Sequence, residues 1–161
     1  PERITPRALR VRYPSVSPDG QWVVAFEQER FENLVVFRTD GSELRKLTTG
    51  DARDRGPSWS LDGQRIAFGS NRGGDYQLWA VRPDGQDLQL IVSNPTGAFS
   101  PVWSPDSGWV GFLWNDASAP GRALWIVSRI GDSPRKLDTE PGDAKIPARS
   151  RSDGQWHTRF C

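Results

Sequence analysis

Residues 14–20 read PSVSPDG, and the same phrase recurs as PSWSLDG at 57–63 and as PVWSPD at 101–106. A weaker fourth copy, ARSRSDG, occupies residues 148–154. The first three copies begin 43 and 44 residues apart. A period of this length is typical of β-propeller blades, whereas several helical solenoid repeats are about 33 residues long. The sequence therefore predicts a chain of consecutive propeller blades.

Turn signals divide each repeat into four strands. Aspartates recur every 21 or 22 residues, and four of the five are followed by glycine: Asp19, Asp40, Asp62, Asp84 and Asp106. Asp-Gly favours tight hairpin turns because glycine accepts a positive φ without a steric cost. The apolar runs between the turns, such as VVAF at 23–26 and LWIV at 124–127, do not alternate with polar residues. Both faces of such strands are expected to be buried, as between stacked blades, so we predict an all-β propeller of four-stranded antiparallel blades.

The repeat starts also predict where each blade begins and ends. We expect the last strand of a preceding blade within 1–13, complete blades at 14–56, 57–100 and 101–147, and the start of a further blade at 148–161. The last copy is broken, because His157 and Thr158 occupy positions that are apolar in the other copies, and a buried polar group without a hydrogen bond is costly. We therefore expect an incomplete propeller, either a piece of a longer protein or a half that pairs with a second copy.

Composition excludes several classes of function. Lys and Arg number 21 against 20 Asp and Glu, so the net charge of +1 does not indicate nucleic acid or an anionic membrane as the partner. The sequence has no apolar run of about 18 residues that could span a bilayer. A single His, a single Cys and the lack of a Gly-x-Ser-x-Gly motif argue against a zinc site or a hydrolase triad. We expect no metal, no cofactor and no catalysis by this chain.

The repeat resembles a known family. Its SLDGQRIAFGSNR segment at 60–72, followed by LWAV at 78–81 and PDG at 83–85, is similar to the TolB-type propeller repeat. The resemblance covers roughly residues 14–137. It implies a propeller of about six blades that binds a ligand across one face or in its channel, and it suggests a periplasmic location. The same repeat occurs in gating domains of prolyl-oligopeptidase-like serine peptidases and in sensor domains of bacterial regulators, so both remain alternatives.

Function is expected on one face of the blades. In a four-stranded up-and-down blade the first and third turns share one face, which we call the turn face. The middle loop and the blade-to-blade links share the other, the loop face, at 27–33, 48–56, 70–75, 93–99, 115–123 and 138–147. These loops vary in length and chemistry, and binding residues concentrate in such segments. Our candidate binding residues are Glu27, Glu29, Phe31, Glu32, Arg53, Arg55, Arg72, Trp114, Asp116 and Asp143.

The loop face sums to a charge of about −4, which favours a protein or peptide partner with basic groups. We therefore predict a non-catalytic binding module, with self-association through open blade edges as a further expectation. The Arg53-Asp54-Arg55 link is interpreted as a self-paired loop. Arginines near the chain ends, Arg10 and Arg12 among them, are interpreted as charges that keep exposed sheet edges from pairing.

The tryptophans fall into shared and single positions. Trp59 and Trp103 occupy one repeat position and Trp79 and Trp125 another, so these four are predicted to pack in the core. Trp114 matches no other tryptophan and is the one expected to reach the loop face.

Overall fold

The computed structural model describes residues 9–28, 31–93, 97–115 and 121–137. These residues form twelve β-strands and no helix, so the described part of the chain contains no helix that could cross a membrane. Of the segment 1–13 predicted to hold the last strand of a preceding blade, residues 1–8 lie outside the described residues, as does the fourth repeat copy, and residues 11–13 belong to the first sheet.

The strands form three antiparallel sheets, each in chain order. The first sheet contains β1 (Val11–Val16), β2 (Trp22–Glu27), β3 (Leu34–Arg38) and β4 (Arg45–Lys46). The second contains β5 (Asp54–Trp59), β6 (Ile66–Gly73), β7 (Asp75–Val81) and β8 (Gln89–Val92). The third contains β9 (Ala98–Trp103), β10 (Trp109–Asn115), β11 (Arg122–Ser128) and β12 (Arg135–Lys136). The predicted fold class is confirmed.

A serine and an aspartate build the first turn of each sheet in the same way. In the second sheet, the Ser60 hydroxyl donates to Asp62 Oδ1 at 2.6 Å and accepts from the Arg65 backbone N–H at 2.9 Å. The same arrangement holds in the other sheets with Ser17 and Asp19, and with Ser104 and Asp106. In these two copies the serine hydrogen bond lowers the pKa of the aspartate. The phrase recurs because its side chains satisfy the backbone of the turn.

Buried apolar side chains fill the space between neighbouring sheets. Between the first and second sheets lie Val24, Phe26, Leu34, Val36, Ile66 and Phe68, among others. Between the second and third lie Ala67, Leu78, Ala80, Val110, Phe112 and Val127, among others. Val23, Ala25, Val35 and Phe37 form a cluster on the other side of the first sheet. Successive residues of a strand point to opposite faces, so the continuous apolar runs bury both faces, as the sequence predicted.

The four tryptophans at shared positions belong to this packing. Trp59 and Trp103 are 8% and 5% exposed, and Trp79 and Trp125 pack against the two inter-sheet clusters. Trp103 Nε1 also donates to the Ser58 carbonyl oxygen at 3.0 Å, across the boundary between the second and third sheets. The prediction that these side chains serve the core is confirmed.

The first strands of the three sheets lie side by side. β5 contacts both β1 and β9, and we call these three the inner strands. Each inner strand has an irregular register just before its repeat proline, where Tyr13, Gly56 and Ser100 have φ values of 50°, 58° and 53°. This bulge bends the strand. The inner strands begin at the loop face, which brings their first residues from all three sheets to the same end of the molecule.

Candidate functional site

An ion pair joins the first and second sheets on the loop face. Glu32, in the loop between β2 and β3, accepts hydrogen bonds from Arg55 Nε and, at 2.8 Å, from Arg55 Nη2. The Glu32 carbonyl oxygen also accepts from the Asp54 backbone N–H at 2.6 Å. The hydrogen bond from Arg55 lowers the pKa of Glu32 and raises that of the guanidinium. The structure therefore brings two predicted site residues together, but as partners of each other.

A second ion pair on this face has a buried carboxylate. The Asp54 side chain is completely buried, and Arg72 Nη2 lies 2.9 and 2.7 Å from its two carboxylate oxygens. Arg72 Nε donates to Ser70 Oγ at 2.9 Å, and the guanidinium lies 5.3 Å from the centre of the Trp79 ring. The interpretation of residues 53–55 as a self-paired loop is wrong, because Asp54 pairs with Arg72 and Arg55 pairs with Glu32.

The other predicted residues are dispersed. Glu27 lies at the end of β2, is 5% exposed, and its Oε2 lies 3.1 Å from Lys46 Nζ. Phe31 is 37% exposed next to Glu32. The Arg53 backbone N–H donates to Asn71 Oδ1 at 2.7 Å, and the Arg53 side chain is exposed. Glu29, Asp116 and Asp143 lie outside the described residues.

Trp114 is part of an aromatic group on the third sheet. Its ring lies 4.4 Å from that of Trp125 and 6.0 Å from that of Phe112, and the side chain packs against the cluster between the second and third sheets. In the sheet register Trp114 is paired with Ala98, the first residue of its inner strand. Trp114 therefore lies at the loop-face end of β10, half-buried against the core.

A row of stacked side chains crosses the loop face from the second sheet to the third. We call Arg55, Tyr76, Phe99 and Arg122 the Arg–aromatic row. The Arg55 guanidinium lies 5.6 Å from the centre of the Tyr76 ring, and the rings of Tyr76 and Phe99 are 5.4 Å apart. The Arg122 guanidinium lies 4.8 Å from the centre of the Phe99 ring. Such cation–π and ring contacts stabilise one arrangement of the side chains.

The row depends on a close approach of two sheets. A Cβ atom on Gly69 would lie 3.3 Å from the Ala98 carbonyl oxygen and 3.8 Å from the Tyr76 ring. The Tyr76 hydroxyl is buried without a hydrogen-bond partner among the described residues. Burial raises the pKa of Tyr76, Arg55 opposes the increase and Glu32 adds to it. The phenol therefore stays neutral at the end of a packed ring.

Sequence reasoning missed Tyr76, Phe99 and Arg122. One signal was available, since Arg12, Arg55 and Phe99 each hold the second position of an inner strand. That position places a long side chain at the loop-face end of each sheet. Aligning the three inner strands would have identified it.

The turn face has a cavity of its own. It has a volume of about 340 Å³ between the first and second sheets and is lined by residues that include Asp19, Asp62, Trp22 and Trp59. Both carboxylates are held by the serines of their turns. In the part of the chain that the structure describes, His, Cys, Asp and Glu side chains form no group of three that could hold a metal ion.

A comparison of the sequence with known protein families agrees with the repeat and the three sheets. Residues 7–118 match the TolB beta propeller domain. The chain belongs to this family. A solved TolB-type propeller supports the same architecture: a protein of Agrobacterium tumefaciens described as a TolB superposes with a TM-score of 0.74 at 26% identity, covering 81% of this chain and 50% of that one.

Three curated bacterial proteins are similar in sequence to this TolB-type chain. An uncharacterised protein of Agrobacterium fabrum is 32% identical over 83% of this chain and 44% of its own length. The Tol-Pal system protein TolB of Anaeromyxobacter dehalogenans is 37% identical over 67% of this chain and 24% of its own. An uncharacterised peptidase of Bacillus subtilis is 32% identical over 61% of this chain and 16% of its own. The chain thus spans less than half the length of each of these relatives.

Proposed function

We propose that this chain is a non-catalytic TolB-type propeller module that binds a protein or peptide partner through its loop face. The observation that carries the proposal is the Arg–aromatic row. Arginine and the large aromatic residues are enriched in protein interfaces and supply most of their binding energy. The row places two arginines and two aromatic rings on one face, and the partly exposed Phe31 lies on the same face.

The arrangement of the row supports a binding role because its side chains are already ordered. Glu32 holds Arg55 with two hydrogen bonds, and the stacked rings hold each other. A side chain that is fixed before binding loses less conformational entropy when a partner arrives. The surface therefore offers ordered contact groups on a rigid scaffold of sheets.

The non-catalytic part of the proposal is supported by the sequence and by the ion pairs. The chain has one histidine, His157, and no Gly-x-Ser-x-Gly motif. On the loop face, the carboxylates of Glu32 and Asp54 are neutralised by Arg55 and Arg72. The hydrogen bond from Arg55 lowers the pKa of Glu32, which makes that carboxylate poorly suited to take up or release protons in a reaction near neutral pH.

A second candidate function is the gating domain of a larger serine peptidase. It is favoured by the similarity to the Bacillus subtilis protein named as a peptidase, of which this chain covers 16%. The loop face would then contact a catalytic domain on the same polypeptide. A Gly-x-Ser-x-Gly motif in the reading frame downstream of residue 161 would support this candidate.

Site-specific photocrosslinking in cells tests the proposed function. A benzoylphenylalanine is placed at Asp51 or Asp75, both exposed on the loop face, and as matched controls at Gln64 or Gln86, both exposed on the turn face. We expect a discrete crosslinked adduct from the loop-face positions only, with the partner identified by mass spectrometry. Failure of both loop-face positions to crosslink, with or without adducts from the turn face, would overturn the proposal.

A further inference from the structure

The charges of the loop face are not distributed as its sequence suggests. Three of its acidic residues are occupied within the protein. The three ion pairs are Glu27–Lys46, Glu32–Arg55 and Asp54–Arg72, and the side chains of Glu27 and Asp54 are also buried. Carboxylates engaged in this way are not available to basic groups of a partner. The described part of this face therefore does not present the acidic surface that its sequence predicts.

Four of the six described arginines that form no ion pair lie on the same face. Among the described residues, Arg10, Arg12, Arg53 and Arg122 form no ion pair; Arg12 donates to Gln28 Oε1 at 2.6 Å, and Arg122 lies over Phe99. On the turn face, four arginines are paired with carboxylates: Arg38 with Glu43, Arg65 with Asp87, Arg82 with Asp84, and Arg129 with Asp62. Two others on that side have no carboxylate partner among the described residues, but Arg45 donates to the Pro83 carbonyl oxygen and Arg135 covers the Trp109 ring. The two faces therefore differ in available positive charge.

The repeat places these arginines next to one another. Arg10 and Arg53 each stand one residue before an inner strand, and Arg12 and Arg55 each hold its second position. Since β1 and β5 are neighbours, equivalent positions lie side by side. Arg122 extends the group to the third sheet, because it covers Phe99, which holds the second position of β9. The guanidinium groups thus follow the loop-face ends of all three inner strands.

We propose that the loop face binds an acidic peptide segment of a partner protein, whose carboxylates pair with Arg10, Arg12, Arg53 and Arg122. This inference rests on the proposed function and names the chemistry of its partner. A guanidinium matches a carboxylate with two parallel hydrogen bonds, and exposed arginines also attract an acidic segment from a distance. It replaces the expectation of a basic partner.

Two exposed carboxylates of the loop face would repel an acidic segment, and the crosslinking variants remove one of these charges each. Asp51 lies in the link between β4 and β5, and Asp75 follows the Gly74 turn between β6 and β7. Asp51 is two residues from Arg53, and Asp75 adjoins Tyr76 of the Arg–aromatic row, so a crosslinker at either position lies near the proposed contacts.

Single-stranded nucleic acid is the rival ligand, because arginines combined with aromatic rings also bind bases. Base stacking needs successive open ring faces. Here Arg55 covers Tyr76, Arg122 covers Phe99, and the two rings pack against each other. Tyr13 is exposed but stacks on Phe26 with one face, so it offers a single ring rather than a platform. The observations favour carboxylates over bases.

Fluorescence anisotropy with the full chain tests the inference. The probes are labelled decaglutamate, decalysine, a neutral Gly-Ser peptide and an oligo-dT of equal length. A triple variant, Arg12→Gln, Arg53→Gln and Arg122→Gln, is compared with a control that loses the same charge from the turn face, Arg38→Gln, Arg82→Gln and Arg129→Gln. Circular dichroism checks that both fold.

We expect the native chain and the control to bind decaglutamate with affinities within about twofold of each other. The loop-face variant should bind up to about tenfold more weakly than the native chain, since each exposed ion pair contributes modestly. Lysine at the same three positions should restore only part of the binding, because an ammonium group keeps the charge but not the two parallel hydrogen bonds of a guanidinium. Added salt should weaken the binding. Equal binding by the two triple variants, or tighter binding of decalysine, would overturn the inference. Tighter binding of oligo-dT that depends on the three arginines would also overturn it, in favour of nucleic acid.

The two proposals fail in different ways. If the loop-face positions crosslink a partner but decaglutamate binding does not depend on the arginines, the loop face remains the proposed binding surface. The inference that the partner contributes an acidic segment is then refuted. If the loop-face positions do not crosslink, the proposed function itself is refuted, and the inference with it.

Discussion

Replacing Arg72 by methionine should be among the most destabilising changes on the loop face. The substitution keeps a long apolar side chain against Trp79 but removes both contacts to Asp54, whose side chain is completely buried. A buried carboxylate would then remain without a counter-ion. The reverse change, Asp54→Asn, leaves an arginine whose side chain is 18% exposed and can turn towards water.

The two changes should therefore differ in cost. Removing one partner of a buried ion pair costs about 3–5 kcal/mol when it leaves an uncompensated charge. For Asp54→Asn we expect about 1–2 kcal/mol, because the amide oxygen still accepts a hydrogen bond and the partly exposed Arg72 keeps its contacts to Ser70 and Trp79. At about 2–4 °C per kcal/mol for a chain of this size, Arg72→Met should lower the melting temperature by about 10 °C.

Urea denaturation followed by tryptophan fluorescence measures both free energies of unfolding. The double variant Asp54→Asn with Arg72→Met should be more stable than Arg72→Met alone, since its buried site holds no charge. It also keeps the test informative if the single variant does not fold. Arg82→Met is the control, because Arg82 forms an exposed ion pair and its loss should cost about 0.5 kcal/mol or less. A greater loss from Asp54→Asn than from Arg72→Met would refute the reasoning.

Three further substitutions test other parts of the structure. Gly69→Val should destabilise the chain by about 1–3 kcal/mol in urea titrations, since its Cβ would lie 3.3 Å from the Ala98 carbonyl oxygen, and no loss would contradict the close approach of the sheets. The hydrogen bond from Arg55 lowers the pKa of Glu32 in the folded state from its ordinary value of 4.5. The stability that this pair contributes is therefore present above pH 4.5 and is lost as the pH falls through the lowered pKa of the folded state. The deficit of Glu32→Gln should therefore be larger at pH 7 than at about pH 3, and an unchanged deficit would argue against the pair. Ser60→Ala should cost about 1–2 kcal/mol by thermal unfolding through loss of the turn hydrogen bonds, and a neutral effect would show that the motif is dispensable.

The fold was predictable because its signals are local. The turn at Ser60 and Asp62 is built from side chains two residues apart, so the phrase itself contains the interactions that form the turn. The burial of both strand faces followed from continuous apolar runs, since successive residues of a strand face opposite ways. Neither inference required knowledge of which sheets pack together.

The candidate site was less predictable because its contacts join distant residues. Glu32 and Arg55 are separated by 23 positions, and Asp54 and Arg72 by 18. A sum of loop charges treats each carboxylate as available, whereas the fold buries or pairs three of them. The interpretation of Arg10 and Arg12 as edge charges stays a prediction, and β1, which holds Arg12, pairs only with β2 within the described part of its sheet.

Hydrogen–deuterium exchange of the full chain with its crosslink-identified partner tests the central claim most directly. The claim is that the partner binds at the loop-face ends of the inner strands. We expect slower exchange at residues 53–56 and 97–100 when the partner is bound, with no change in the Ser-x-Asp turns at 17–22 and 60–65. Protection of those turns, with unchanged exchange at the starts of β5 and β9, would contradict a loop-face binding site.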